Sequence, residues 1–208
     1  KLNSIIASAL QRVPSYMWYT SIQQFISRVG HSEPDVVDVV ITALTLIATE
    51  HSRESVWSVA QLFSSHNEAR RKAGQKVLSC TTTNLDRLGR KDESSAFGNS
   101  RLLFQDLIKH AQFQTNEKKC RLKLSRNVNY HDYVVPNRET LTVTLQPHRP
   151  MYSSDLPARL EDIHDPFPKS ANRIQRFHEE AIVMHSKAKP KKIGLITTAG
   201  ETAWYLCK

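Results

Sequence analysis

No run of apolar residues in this 208-residue chain approaches the roughly 20 needed to cross a bilayer. The N-terminus also lacks the succession of basic, apolar and small residues that marks a signal peptide. The first residue is lysine, not methionine, and the last is a lysine after an apolar run. Both ends therefore read as cuts in a longer protein, and a soluble intracellular setting is expected. Cysteine is scarce: Cys80, Cys120 and Cys207 are far apart, form no CxxC pair and have no histidine at metal-ligand spacing. That argues against disulfides and structural zinc and predicts three small buried apolar residues. The histidines are scattered, and His31, His51 and His66 fall at predicted helix junctions, where solvated or capping roles are expected.

Charge is plentiful and uneven. The net charge is +9, yet residues 1–69 carry four basic against six acidic side chains, so the basic excess lies wholly in the remainder. Such asymmetry can mark a surface for nucleic acid or an acidic partner. Its densest runs are "KKCRLKLSR" (Lys118 to Arg126) and "KAKPKK" (Lys187 to Lys192). Neither is interleaved with the aromatics of a base-stacking platform, which favours solvated loops or a solvated strand face.

The first third alternates helices with short polar breaks. "LNSIIASALQ" is amphipathic and stops before Pro14. "SYMWYTSIQQFISRV" places Met17, Trp18, Ile22, Phe25, Ile26 and Val29 at helical spacing and ends at Gly30, a predicted C-terminal cap. In "SEPD", Ser32 is the predicted N-cap and Pro34 sits in the first turn. The next helix, "VVDVVITALTLIA", is apolar nearly all round, which predicts burial between neighbours on both sides. Ser52 and Asn67 are expected to open two more helices. Helices joined by such short breaks stack as antiparallel pairs, so divergent α-solenoid repeats of the tetratricopeptide or HEAT kind are predicted.

Beyond this, "GRKDESSAFGNS" (Gly89 to Ser100) is Gly/Ser-rich and reads as a loop, followed by a helix from Ser100 to about Phe113. "ETLTVTLQP" alternates as a strand, with Leu141, Val143 and Leu145 on one face. "IHDPFPKS" reads as a Pro-rich connector and "ANRIQRFHEEAIVMHSKA" as a helix with Ile174, Phe177, Ala181, Ile182 and Met184 inward. The clearest boundary, from all-helix to mixed structure, is placed near residue 140.

The chain closes with a strand, a turn at Thr197 to Glu201, and a second strand from Ala203 to Cys207. A period of two puts Trp204, Leu206 and Lys208 on one face. An apolar residue and a lysine two positions apart beneath a Gly-containing turn suit a nucleotide. The turn covers phosphates, the apolar side chain roofs the base, and the lysine neutralises phosphate charge. Edge strands also carry lysine simply to discourage aggregation. The His-Asp pairs at His131–Asp132 and His164–Asp165 lack a nucleophile motif and carry no catalytic assignment.

The stretch "KPKKIGLITTAGETAWYLCK" resembles the start of the kinase N-lobe in the phosphatidylinositol-3-kinase-related protein kinases, most closely the ATR-type checkpoint kinases. "PFPKSANRIQRFHEEAIVMHSKAKPKK" is similar to the segment that precedes that lobe, and residues 14–78 resemble the last helical repeats of the FAT domain. The resemblance implies a mainly α fold (α-solenoid helical repeats) followed by a partial α+β kinase N-lobe. It divides the chain into FAT-like repeats over 1–90, a connector over 91–140 and a truncated N-lobe over 141–208. It further implies ATP binding by Lys208, Leu206, Gly200, Thr198 and Thr197, with ATP and Mg as cofactors of the complete kinase. No catalytic or metal-binding residue is expected within the chain, because the catalytic base and metal ligands of such kinases lie C-terminal to that lysine. The chain alone is therefore expected to be inactive. The resemblance also implies Ser-Gln and Thr-Gln substrates, a nuclear checkpoint role in the response to DNA damage, an ATRIP-type regulatory subunit and a dimeric assembly, with no membrane association. One departure is "TTAGE", which keeps a single glycine where the family has a Gly-Ser-Asp-Gly-like turn. Fewer glycines limit how closely backbone can approach phosphate. A non-enzymatic helical scaffold and a nucleic-acid-binding module centred on Lys118 to Arg126 are the competing readings.

Overall fold

The structure is a computed structural model and describes residues 2–125, 128–136, 167 and 172–208. Its first helix, α1 (Leu2–Leu10), stops ahead of Pro14 as predicted. The stretch after Pro14 forms two helices instead of one, α2 (Ser15–Tyr19) and α3 (Ile22–Arg28). Two hydroxyl residues sit at the break. Thr20 Oγ1 donates back to the Met17 carbonyl at 2.8 Å, and Ser21 leaves helical geometry at φ −103°, ψ 11°, the local competition expected of such side chains. Ile22, Ile26 and Val29 are buried as predicted, but Met17 is exposed. Gly30, which follows the C-cap Val29, does not adopt the left-handed cap conformation.

Helix α4 (Pro34–Glu50) carries Pro34 in its first turn, with Glu33 and not Ser32 at the N-cap position. The chain then forms α5 (Ser52–Val59), a 3₁₀ turn (Ala60–Leu62) and α6 (Glu68–Arg87). Asn67 caps α6, its Oδ1 accepting from the Arg70 amide at 3.0 Å. The apolar circumference of α4 is explained by its neighbours: it packs against α1, α2, α3, α5 and α6. Leu44, Ile47 and Ala48 are wholly buried there. Each of the two larger side chains contributes about 1.5–3 kcal/mol relative to exposure.

The Gly/Ser-rich stretch predicted as a loop is helix. α7 runs from Lys91 to Gln112, and only Leu88 to Arg90 separate it from α6, with Gly89 at φ 73°. The small residues that suggested a loop are packing positions. Ser94 Oγ donates to the Thr82 carbonyl of α6 at 3.2 Å, and Ser100 is fully buried, bonded to the Phe97 carbonyl at 2.6 Å. Arg90 joins this turn to the end of α4. Its Nη1 donates to the Thr49 carbonyl at 2.7 Å, while Nε meets Glu93 Oε1 at 3.0 Å.

The predicted helix over Ala171 to Ala188 is instead two strands, β2 (Ile174–Phe177) and β3 (Glu180–Val183), following β1 (Lys119–Arg121). A bulge explains the misreading. The register against β4 (Lys191–Thr197) shifts between Ile174 and Arg176, so the buried residues Ile174 and Phe177 fall three apart, a helical interval produced by a strand. The antiparallel sheet runs β1-β3-β4-β2, with β5 (Thr202–Cys207) along the other side of β4. Its edge strand β1 comes from the basic run, whose odd and even residues alternate between exposed (Lys119, Arg121, Lys123) and half-buried (Cys120, Leu122, Leu124). The mixed structure thus begins by Lys119 and not near residue 140.

The predicted strand at 139–147 and most of the Pro-rich connector lie outside the described residues. Phe167 is buried, with its ring centroid 5.0 Å from Tyr19 and 4.6 Å from His51. His51 therefore sits within an aromatic group rather than in solvent, and its Nε2 meets Ser15 Oγ at 2.9 Å. All three cysteines are free thiols and half-buried, less enclosed than their usual habit predicts.

Candidate functional site

Alternation along β4 and β5 divides the sheet into two chemically different faces. Lys191, Ile193, Leu195 and Thr197 point inward toward the helices, all nearly or wholly buried, opposite Cys207, Tyr205 and Ala203. Lys192, Gly194 and Ile196 point outward, opposite Leu206, Trp204 and Thr202. Leu206 is 51% and Trp204 39% exposed, and Lys208, also exposed, lies one residue past the end of β5. The side chain expected to meet a base, Leu206, is thus on the face turned away from the protein's own core, and the lysine expected to meet a phosphate follows just beyond the strand's end.

Gly194 keeps that face flat. A Cβ there would lie 3.0 Å from Trp204 Cζ3 and 3.1 Å from His178 Cβ. With no side chain at Gly194, the indole lies across β4. It is flanked by the His178 ring at a centroid distance of 5.6 Å and by Lys192 Nζ, 5.3 Å from the ring centre, a cation–π arrangement.

The turn places the other expected site residues differently. Thr197 is buried on the inner face. Its Oγ1 accepts from the Glu201 amide at 3.2 Å, and its own amide donates to the Glu201 carbonyl at 2.8 Å. Thr198 is exposed, but its amide donates to the Arg173 carbonyl at 2.9 Å. Gly200, at φ 83°, supplies the left-handed residue that closes the turn, and its amide donates to the Thr197 carbonyl at 2.9 Å. The amides of all three residues are therefore engaged within the sheet. Thr197, Thr198 and Gly200 build the turn at one end of the β4–β5 hairpin, and Leu206 and Lys208 lie at its other end.

Behind the sheet, Trp57, Phe104, Leu107, Ile193 and Tyr205 line a largely apolar cavity of about 430 Å³ between the inner face and helices α5 and α7, and the end of the chain, Leu206 to Lys208, borders it as well. Cys207 Sγ donates to the Leu107 carbonyl at 3.5 Å. Burial pushes its thiol pKa up, with the Lys191 charge opposing that shift. Tyr205 donates its hydroxyl to the Pro136 carbonyl, and burial pushes this phenol up too. Among the described residues, no group of three or more His, Cys, Asp or Glu side chains could hold a metal ion. No described helix is long and apolar enough to cross a membrane.

Sequence reading overlooked Lys189 and Lys191, which it treated as part of a basic run. Lys191 is wholly buried and Lys189 partly so, and both ammonium groups bond to backbone or side-chain oxygens of residues 111–116. The signal was available, because Lys191 falls two residues before Ile193 and four before Leu195, an inward strand position. Lys119 is likewise engaged, 2.9 Å from Glu180 across β1 and β3.

Residues 1–103 match a family described as serine/threonine-protein kinase ATR-like, HEAT repeats. Over its whole length the chain is 24% identical to protein kinase rad3 of Schizosaccharomyces pombe and 28% identical to serine/threonine-protein kinase ATR of Oryza sativa. A serine/threonine-protein kinase MEC1 of Candida glabrata is 24% identical over 98% of the chain. The chain spans only 8% of the length of each of these relatives. Its fold is shared with the open conformation of CtTel1 (TM-score 0.58, 14% identity, 98% of this chain and 7% of that one). It is also shared with the FAT and kinase domain of CtTel1 (TM-score 0.55, 14% identity, 98% of this chain and 13% of that one). Among the described residues the chain thus joins helical repeats to a five-stranded antiparallel sheet, and its sequence is similar along its length to ATR-type serine/threonine protein kinases.

Proposed function

We propose that the outer face of β4 and β5 is one wall of the ATP site of an ATR-like serine/threonine protein kinase. The observation that carries this is the exposure of Leu206 on the outer face of β5, with Lys208 exposed two residues on, just past the end of the strand. Leu206 lies against the adenine and Lys208 places its ammonium on the phosphates, where charge stabilisation supports transfer. Magnesium, when bound, neutralises the developing phosphate charge, and its ligands come from parts of the kinase other than the described residues. The 208-residue chain by itself transfers no phosphate, since positioning and metal-assisted stabilisation need those other groups. In the whole protein the reaction modifies Ser-Gln and Thr-Gln sites in the nuclear checkpoint that answers DNA damage. The kinase acts there in a dimeric assembly with an ATRIP-type regulatory subunit.

The test is phosphate transfer to a Ser-Gln peptide by the full-length kinase, wild type and Lys208→Met. The variant is expected to lose on the order of 100-fold or more in kcat/KM, the scale of removing one preorganised charge contact. A variant that retains wild-type rates removes Lys208 from the site. Measurable transfer by the 208-residue chain alone overturns the assignment of the remaining machinery to other parts of the kinase.

A further inference from the structure

The sheet is pinned to the helical repeats at one corner by two ammonium groups. Lys191 opens β4 on its inner face, opposite Cys207 and so one residue from Lys208. It is fully buried. Its Nζ donates to the Ala111 carbonyl at 2.8 Å and to the Phe113 carbonyl, oxygens at the C-terminal end of α7. Carbonyls at a helix end lack intrahelical partners and carry partial negative charge, so a cation there is doubly favoured. Two residues earlier, Lys189 Nζ donates to the Thr115 carbonyl at 3.0 Å and to Asn116 Oδ1 at 2.6 Å. Lys189 holds φ at 43°, left-handed backbone that costs an L-residue energy. Its amide donates to the Ser186 carbonyl at 3.0 Å, which closes the β3–β4 turn. One oxygen of the last turn of α7 and three of the α7–β1 connection are thus gripped from β4 and the turn before it.

We propose that Lys189 and Lys191 form a clamp that sets the position of the nucleotide-facing hairpin relative to α7, so that the state of the helical repeats is passed to Lys208 through β4. This rests on the ATP-site reading of Lys208 given above. Lys191 is a positioning residue: it points to the opposite face from Leu206 and meets only carbonyl oxygens. A buried ammonium is stable only while its protons are accepted, and helix-end carbonyls buried beside it need a donor. The joint therefore holds as a unit or opens as a unit, and when it opens, the end of β5 that bears Lys208 loses its support.

Hydrogen exchange and ATP kinetics of the full-length kinase test this in Lys191→Met, Lys191→Arg, Lys189→Ala and Lys208→Met. In Lys191→Met, exchange is expected to rise roughly tenfold together in the last turn of α7 and in β5, and KM for ATP to rise about fivefold or more with a smaller change in kcat. Lys191→Arg recovers part of both effects, and Lys189→Ala shows the same paired change at smaller size. Should Lys191→Met fail to fold, Lys189→Ala decides the matter by the same two readouts. Lys191→Met with faster exchange but an unchanged KM for ATP makes the lysine merely structural and overturns the proposal, as does exchange that rises in α7 and not in β5. Lys208→Met is expected to lose activity with exchange in α7 unaltered. If it keeps wild-type activity, the ATP-site reading fails, while the paired exchange in Lys191→Met still decides whether the clamp exists.

Discussion

At Gly194 the main chain of β4 passes directly beneath the Trp204 indole, and the 3.0 Å that a Cβ would leave to that ring makes this the least substitutable position on the outer face. Gly194→Val is expected to cost about 1–3 kcal/mol, the usual penalty of forcing volume into a packed site, and to displace Trp204. Denaturant unfolding and indole fluorescence measure the two effects. Glu93 makes a second residue-scale case. Burial pushes its carboxyl up, but hydrogen bonds from Arg90 and Ser52 and the charges of Arg90 and Arg53 outweigh burial and hold it below the usual glutamate range. A carboxyl depressed in the folded state contributes stability above its unfolded pKa and loses it as pH falls through the folded value. Glu93→Gln is accordingly expected to lose about 1–3 kcal/mol at neutral pH, as for a hydrogen bond to a charged group. The gap to wild type should close as acid titrates the carboxylate. A constant gap down to strongly acidic pH, measured by urea unfolding, argues against that role.

At the scale of elements, the helices whose signals are local were legible. Pro14 stops α1, Pro34 starts α4, and the apolar circumference of α4 reports its five helical neighbours. The cap at Asn67 was read correctly from one residue, and Asn67→Ala is expected to cost about 1 kcal/mol in thermal or denaturant unfolding, with Asn67→Asp nearly neutral. Elements whose signal depends on tertiary partners were not legible. The serines and glycine of α7 carry loop composition, yet Ser94 is buried against Thr82 of α6 and Ser100 is buried within the fold, a fact no local window contains. β2 looked helical because its bulge places Ile174 and Phe177 three apart. Lys191 looked like one more member of a basic run because a lysine's charge does not announce the helix end that accepts its protons. Of the sheet, the outward alternation of Trp204 and Leu206 could be read from period two alone. The inward turn of Thr197 could not be read as easily, since the hairpin residues were grouped by their proximity to the turn.

Across the whole molecule, a stack of helices ends in α7, and the sheet is seated on the last turns of that helix through Leu107, Ala111 and Phe113. The same device appears at both ends of α7: Arg90 reaches back to the end carbonyl of α4, and Lys191 reaches the end carbonyls of α7. Three basic side chains, Arg90, Lys189 and Lys191, thus tie successive units together, and two of them belong to a basic run that a sequence reading could assign to nucleic acid. The central claim is that the outer face beside this joint meets the phosphates of ATP, and lysine acylation of the full-length kinase by an acyl-phosphate derivative of ATP tests it most directly. The account expects the Lys208 peptide to be acylated and protected by excess ATP, with buried Lys191 untouched. Lys208 left unlabelled, or labelled equally with and without competing ATP, contradicts it.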